Sequence, residues 1–204
     1  MTDNLVSAVL NIPRIEPDNW NIWWSWWTEH SSDVYKAKGN HNTGPGLNKW
    51  QGLDIYRTED YDSDKDPYNA KYVDCQHIFP NMLSNLKTIP LKISHIRAVQ
   101  STQQFTPHKD HDRPTISLRV MLYDNNPRDT FFYILSNGKL KFQTFPKNSN
   151  TWIYYDHLTK HGTHYRNEHF KIILQIWGKW DNTGLAQLLE HSDLNYAVFD
   201  EMSG

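Results

Sequence analysis

The sequence predicts a mainly β protein with supporting helices, and three observations lead to this fold class. From residue 91 onward, short runs rich in Ile, Val, Phe, Tyr and Thr alternate with turn residues, which is typical of strands. A Trp-rich segment near the start has helical spacing, and Leu185–His191 has the pattern of a closing helix. Many short strands at close spacing favour a sandwich or a barrel.

The chain of 204 residues is expected to form one domain, residues 1–204, with a sizeable core. Residues 1–90 are predicted to be helical and loop support, residues 91–180 the β core, and residues 181–204 a closing helix and tail. The sequence contains no internal repeat, and no linker divides the chain.

The N-terminal helix is predicted from an aromatic stripe. Trp20, Trp23, Trp24 and Trp27 follow the i, i+3, i+4, i+7 spacing of one helix face, so they are expected to pack on the main body. Trp26 lies off this stripe and is the candidate for an exposed contact. An aromatic wall for a substrate, or a partner surface, is the functional alternative for this segment.

Residues 37–70 are polar and rich in turn residues. Asp60, Asp62 and the acidic residues after them alternate as in a calcium loop. However, Lys65 stands where such a loop needs Gly, and Lys71 stands where it needs Glu. A solvated acidic loop is therefore the expectation.

Six strands are predicted in the β core. They are Leu91–Val99, Ser117–Tyr123, Thr130–Leu135, Leu140–Phe145, Thr151–Tyr155 and Phe170–Trp177. Asn125-Asn126-Pro127 and Ser136-Asn137-Gly138 are the clearest turns between them.

Composition excludes several classes of function. The net charge of −2 gives no electrostatic reason for binding nucleic acid. No run approaches the roughly 20 apolar residues of a membrane span, and no basic segment of a signal peptide precedes an apolar one. Cys75 is the only cysteine, so an internal disulfide is not possible. A cytoplasmic protein is the expectation.

One set of residues has the chemistry of a metal site. His108 and Asp110 are two apart, so on an extended segment both side chains point to the same face. With His161 they would supply the two imidazoles and one carboxylate that hold non-haem Fe(II). Lys171 sits in an apolar, strand-like run, where a cation needs an anionic partner.

Other assignments remain open on spacing alone. A polar turn without metal is one of them, because His-x-Asp is a short motif. His111 and Asp112 offer a second pair within the same stretch. His157, His164 and His169 are read as strand or loop residues, although any of them could replace His161 as ligand or contact substrate.

The stretch from Phe105 to Trp177 resembles the 2-oxoglutarate- and Fe(II)-dependent oxygenases. Within them it is most similar to the aspartyl/asparaginyl β-hydroxylase group, which includes some free-proline hydroxylases. The resemblance rests on His108-x-Asp110, the run Ile116-Ser117-Leu118-Arg119-Val120-Met121-Leu122, the block from Tyr155-Asp156 to His161, and Lys171 followed by Trp177.

The resemblance implies a double-stranded β-helix, the jelly-roll or cupin-like barrel, with Fe(II) held by His108, Asp110 and His161. It also implies that Lys171 binds the C5 carboxylate of 2-oxoglutarate, and that Arg119 helps to bind a co-substrate or substrate carboxylate. Two positions depart from the group. Members that act on protein domains commonly lack the carboxylate ligand, and Arg is common where this chain has Lys171, which cannot form a bidentate fork.

The expected function is hydroxylation of an unactivated C–H bond in an amino acid or a peptidyl residue. Asp110 argues for hydroxylation over halogenation, because a halide would need the position that the carboxylate occupies. Arg113, Arg119 and Arg166 are candidate anchors for a substrate carboxylate. The alternatives are a non-catalytic β-barrel that binds a metal or a small ligand, and a partner-binding protein that uses the Trp-rich segment.

Overall fold

A computed structural model describes residues 6–30, 35–36, 50–62, 71–101, 105–109, 116–124, 130–134, 137–144, 152–155, 159–164, 171–194 and 198–199. Over these residues the protein is mainly β, with antiparallel sheets and three helices. None of the described helices is long and apolar enough to cross a membrane.

The described strands form two sheets. They are Ser7–Leu10 (β1), Tyr35–Lys36 (β2), Trp50–Arg57 (β3), Leu91–Ser101 (β4), Phe105–His108 (β5), Ile116–Asp124 (β6), Thr130–Ile134 (β7), Leu140–Thr144 (β8), Trp152–Tyr155 (β9), Lys160–His164 (β10), Lys171–Trp180 (β11) and Val198–Phe199 (β12). The seven-stranded sheet has the order β1-β9-β6-β11-β4-β3-β2, and the five-stranded sheet has the order β12-β8-β7-β10-β5.

The strands from β4 to β11 pair in a nested way. β7 pairs with β8, β6 with β9, β5 with β10 and β4 with β11, each antiparallel. Successive nested pairs alternate between the five-stranded and the seven-stranded sheet. The chain therefore runs out and back as a two-stranded ribbon that is shared between the two sheets. The turn of the β7–β8 hairpin contains Gly138, whose φ of +81° suits glycine.

The three helices are Trp20–His30 (α1), Pro80–Leu86 (α2) and Asn182–Glu190 (α3). Side chains cap the first N–H groups of each helix. Asn19 accepts from the backbone N–H groups at the start of α1, and Asp181 does so at the start of α3. Asp18, distant in sequence, accepts from two backbone N–H groups of α2, and these two bonds tie α2 to the segment before α1.

The two faces of the seven-stranded sheet differ in chemistry. Ile172, Leu174 and Ile176 of β11 belong to the main hydrophobic core, which includes residues from all three helices. The opposite face includes Ser7, whose hydroxyl donates to Gln143 Oε1 of β8 over 2.6 Å. Because alternate residues of a strand share a face, this second face looks toward the five-stranded sheet. We call it the inner face of the seven-stranded sheet.

The six strands predicted for the β core are all present, as are the Trp-rich helix and the closing helix. Residues 1–90, however, contribute three strands to the seven-stranded sheet in addition to helices and loops. The helix α2 and the strands β5, β10 and β12 were not predicted.

The prediction that Trp26 is exposed is wrong, because only 5% of this residue is accessible. Trp26 packs against Trp23 and against Phe79, which immediately precedes α2, with ring centroids 5.4 and 5.8 Å apart. Since α2 was not predicted, this second side of α1 had no expected partner. The exposed apolar residue of α1 is Ile22.

Candidate functional site

Two of the predicted metal ligands lie side by side on neighbouring strands. His108 is the last residue of β5 and is the direct cross-strand partner of His161 in β10. Their ring centroids are 4.7 Å apart, with 54° between the ring planes. Directly opposed residues of an antiparallel pair bring their side chains together, so strand pairing alone explains why this histidine pair forms.

The hydrogen bonds of His161 define which of its nitrogens can bind a metal. The imidazole is buried, and its Nδ1 lies 2.8 Å from the carbonyl oxygen of Thr159. A carbonyl oxygen only accepts, so Nδ1 is the donor, and in the neutral imidazole Nε2 carries the lone pair. Metal-binding histidines use this arrangement, in which the second nitrogen donates to a carbonyl or carboxylate.

The histidine pair lies on the inner face of the five-stranded sheet. Thr163 is two residues from His161 and therefore shares its face, and it pairs with Phe131, which in turn pairs with Gln143. Gln143 is the residue that accepts the hydrogen bond from Ser7 of the opposite sheet. The histidine pair therefore faces the space between the two sheets.

Lys171 lies on the facing surface of the other sheet. It begins β11, is 1% exposed, and pairs with Ser101 of β4. Gln175 and Trp177 are separated from Lys171 by an even number of positions and share its face. The hydrophobic core residues Ile172 and Leu174 lie on the opposite face. Lys171 is therefore a buried cation on the inner face, opposite the sheet that carries the histidine pair.

A row of polar side chains crosses the same inner face. Asp54, Arg97, Gln175 and Arg119 are consecutive cross-strand partners on β3, β4, β11 and β6. Arg119 pairs in turn with Ile153 of β9, and Ile153 pairs with Val9 of β1. Val9 is two residues from Ser7 and shares its face. We call the four residues Asp54, Arg97, Gln175 and Arg119 the polar row.

Two charged side chains of the polar row, Asp54 and Arg97, are held by short contacts. Arg97 Nε donates to Asp54 Oδ1 over 2.5 Å, and Arg57 donates to Asp54 Oδ2 from Nε and Nη2 over 2.9 and 2.7 Å. Arg97 and Asp54 are 1% and 0% exposed. Burial raises the pKa of Asp54, and the hydrogen bonds and positive charges of Arg97 and Arg57 oppose this rise.

Aromatic rings adjoin the polar row on the side away from Lys171. Trp177 stacks on His95 with ring centroids 4.1 Å apart and 11° between the planes, and the Tyr61 ring lies 4.6 Å from the His95 ring at an angle of 52°. The guanidinium carbon of Arg97 lies 5.3 Å from the centre of the Trp177 ring. This contact and the bond to Asp54 restrict the Arg97 side chain in two directions.

The other predicted site residues divide into two groups. Arg119 is on the inner face, but its cross-strand partner Gln175 is four positions from Lys171 along β11, which is about 13 Å. His164 ends β10 opposite Thr130. Outside the described residues lie Asp110, His111, Asp112, Arg113, His157, Arg166 and His169.

The acidic run is only partly within the described chain, which includes Asp60 and Asp62 and resumes at residue 71. Within the described residues, no group of three or more His, Cys, Asp or Glu side chains could hold a metal ion. The predicted carboxylate ligand Asp110 lies outside that search.

Sequence reasoning did not single out Asp54 and Arg97. The signal was nevertheless present, since Arg97 lies between Ile96 and Ala98, much as Lys171 lies between Phe170 and Ile172. A buried cation in a strand needs an anionic partner, and Asp54 stands between Leu53 and Ile55 in a similarly apolar run.

Comparison with known proteins adds no assignment. The chain matches no protein-family model, and no curated protein matches it significantly.

Proposed function

We propose that this protein is an Fe(II)- and 2-oxoglutarate-dependent dioxygenase that hydroxylates an unactivated C–H bond of an amino acid or peptidyl residue. The observation that carries the proposal is the cross-strand pair of His108 and His161, facing a sheet that carries the buried Lys171. A cytoplasmic location and membership of the aspartyl/asparaginyl β-hydroxylase group are parts of the same proposal.

The strand pairing supports a double-stranded β-helix. A two-stranded ribbon that winds between two sheets gives nested pairs alternating between the sheets, as β4 to β11 do. Such a jelly roll can enclose a ligand between its sheets. The polar inner faces fit a binding space better than the apolar interior of an ordinary β-sandwich.

The donor set fits a non-haem iron centre. His108 and His161 would supply two imidazoles, and Asp110, two residues after His108, would supply the carboxylate of the facial triad. The bond from His161 Nδ1 to the Thr159 carbonyl leaves Nε2 as the metal-binding atom and holds the ring in place. Asp110 would complete the set and leave other positions open for co-substrate.

Lys171 would bind the distal carboxylate of 2-oxoglutarate. Its ammonium group would make a charge-assisted hydrogen bond, and the burial of the side chain strengthens such a contact by excluding water. When bound, Fe(II) and 2-oxoglutarate would react with dioxygen, so that one oxygen atom enters the succinate formed with carbon dioxide and the other is inserted into the C–H bond. The residues of the chain bind, orient and exclude water from this site.

An anaerobic titration tests the proposal. Fe(II)-loaded protein is titrated with 2-oxoglutarate while the weak visible metal-to-ligand charge-transfer band is recorded. We expect the band in the wild type and a 10- to 150-fold weaker affinity in Lys171→Met, which loses a hydrogen bond to a charged group. Lys179→Met is the matched control, because Lys179 is exposed on the same strand.

Metal content provides a second readout. His108→Ala should lose bound iron, and His77→Ala, which changes an exposed histidine, should retain it. The absence of a band in iron-loaded wild type would remove the dioxygenase proposal and leave a metal-binding barrel. Unchanged iron in His108→Ala would remove the metal centre as well.

A further inference from the structure

A row of polar side chains also crosses the five-stranded sheet, and it contains the histidine pair. His108 of β5 pairs with His161 of β10. On its other side His161 pairs with Tyr133 of β7, which in turn pairs with Lys141 of β8. Directly opposed residues of neighbouring antiparallel strands share a face, so all four face the space between the two sheets. We call these four residues the histidine row.

We infer that Tyr133 positions ligands at the proposed metal site, and that its phenol hydroxyl donates a hydrogen bond to a small anion that the metal binds. This inference rests on the proposed function, because it adds a residue to that same site. The role is that of a hydrogen-bond donor to a bound ligand, and the metal ligands stay as proposed.

The spacing of the row places Tyr133 beside the metal ligands. Neighbouring strands are about 4.8 Å apart, so Tyr133 is one strand from His161 and two strands, or about 10 Å, from His108. Because His161 stands between the other two, Tyr133 is better placed to contact a ligand on the metal than to join His108 in binding the metal itself.

The burial of Tyr133 gives its hydroxyl a meaning. The residue is 7% exposed, and a buried phenol hydroxyl needs a hydrogen-bonding partner. A phenol oxygen accepts as well as donates, so contacts of Tyr133 with the protein are compatible with donation to a ligand. A phenylalanine would supply the same ring without this requirement. The hydroxyl therefore fits a polar site better than support of the sheet.

The charges around the space between the sheets favour an anion. Lys141 ends the histidine row, and the buried Lys171 lies on the facing sheet. Attraction between a cation and an anion is stronger where water is excluded. A hydrogen bond from a phenol to an anion is also stronger than one to a neutral acceptor. A small anion is therefore the ligand class that this arrangement fits.

Azide binding to cobalt-substituted protein tests the inference. Co(II) is a coloured substitute for Fe(II), and its absorption bands change when an anion enters its coordination shell. We expect azide to bind the wild type and to bind Tyr133→Phe about 10-fold more weakly, as for the loss of one hydrogen bond. Cobalt content should be the same in both proteins, because the variant keeps both imidazoles.

Tyr56→Phe is the matched control. Tyr56 is half-buried and packs against the main hydrophobic core, outside the histidine row. This variant should bind azide like the wild type. Cobalt content, measured on every protein, separates a lost hydrogen bond from a damaged site. Loss of cobalt from Tyr133→Phe would overturn the inference, because the hydroxyl would then support the metal ligands and not a bound anion.

The outcomes separate this inference from the proposed function. A change in azide affinity of less than 3-fold in Tyr133→Phe, or no azide binding by the cobalt-loaded wild type, overturns the role of Tyr133, whatever the 2-oxoglutarate titration gives. Weaker azide binding in Tyr133→Phe without a charge-transfer band in the iron protein supports that role and removes the dioxygenase proposal. A wild type that binds no cobalt would overturn the inference together with the metal centre.

Discussion

The buried network around Asp54 predicts an unequal response to removal of its partners. Asp54 accepts from Arg97 through one oxygen and from Arg57 through the other. In Asp54→Asn, Arg97 would remain buried without that carboxylate, which costs about 3–5 kcal/mol in the free energy of unfolding. In Arg97→Gln, Asp54 keeps both bonds to Arg57, so the loss should be only about 1.5–3 kcal/mol, the contribution of one charged hydrogen bond.

The double variant should be destabilised less than Asp54→Asn alone. Both fully buried charges are then absent, and the remaining Arg57 is 17% exposed through its side chain and can reach water. The two changes should therefore couple by at least about 1.5 kcal/mol. Urea unfolding of the four proteins measures these values, provided that the slope with urea stays constant.

Two results would refute this reasoning. Additive effects of the two substitutions would mean that Asp54 and Arg97 do not interact in solution. A larger loss in Arg97→Gln than in Asp54→Asn would mean that Arg57 does not hold the carboxylate when Arg97 is removed.

Three other predictions concern the packing around this site. Trp26→Ala should lose about 3–5 kcal/mol of stability in urea unfolding, whereas Ile22→Ala, at an exposed site, should change it by under about 0.5 kcal/mol; equal effects would contradict the buried position of Trp26. Burial raises the pKa of Cys75 to about 12, so a thiol reagent at about pH 8 should modify unfolded but not native protein. Rapid labelling of the native protein would contradict this. The contribution of the buried, protonated thiol to the free energy of unfolding should be complete below the unfolded pKa of the thiol, and it should be lost as the pH rises from there toward the folded pKa. Gly178→Ala should lose about 1–3 kcal/mol, because a Cβ would collide with the backbone of Lys92; unchanged thermal unfolding would show that the neighbouring strand gives way.

The strands of the β core could be predicted from sequence because their composition is apolar and β-branched. Leu91–Ser101 and Lys171–Trp180 extend the predicted runs by two and three residues at their C-terminal ends. The strands that carry the histidine pair could not be predicted in this way. Phe105–His108 contains a proline, and Lys160–His164 consists of polar residues and a glycine, so pairing with neighbouring strands imposes their conformation.

The candidate site shows the same division. Residues 108, 161 and 171 could be singled out from sequence, because Lys171 lies beside apolar residues and because two histidines and Asp110 are the residue types of a facial triad. The pairing of His161 in β10 with His108 in β5 could not be derived from sequence, since register depends on pairings between residues far apart in the chain. The exposure of Trp26 was wrongly predicted for a related reason. The segment at Phe79 that covers Trp26 is distant in sequence, and it showed no pattern from which a helix was predicted.

The placement of the hydrophobic core bears on the proposed function. In a common β-sandwich the apolar side chains fill the space between the sheets. Here the main apolar cluster lies on the opposite face of the seven-stranded sheet, where Trp23, Leu174 and Met82 belong to one core with the helices. Helix packing on that outer face contributes stability without filling the inner one. The inner face can therefore carry Lys171 and the polar row, and the same strands would support both the fold and the proposed ligand site.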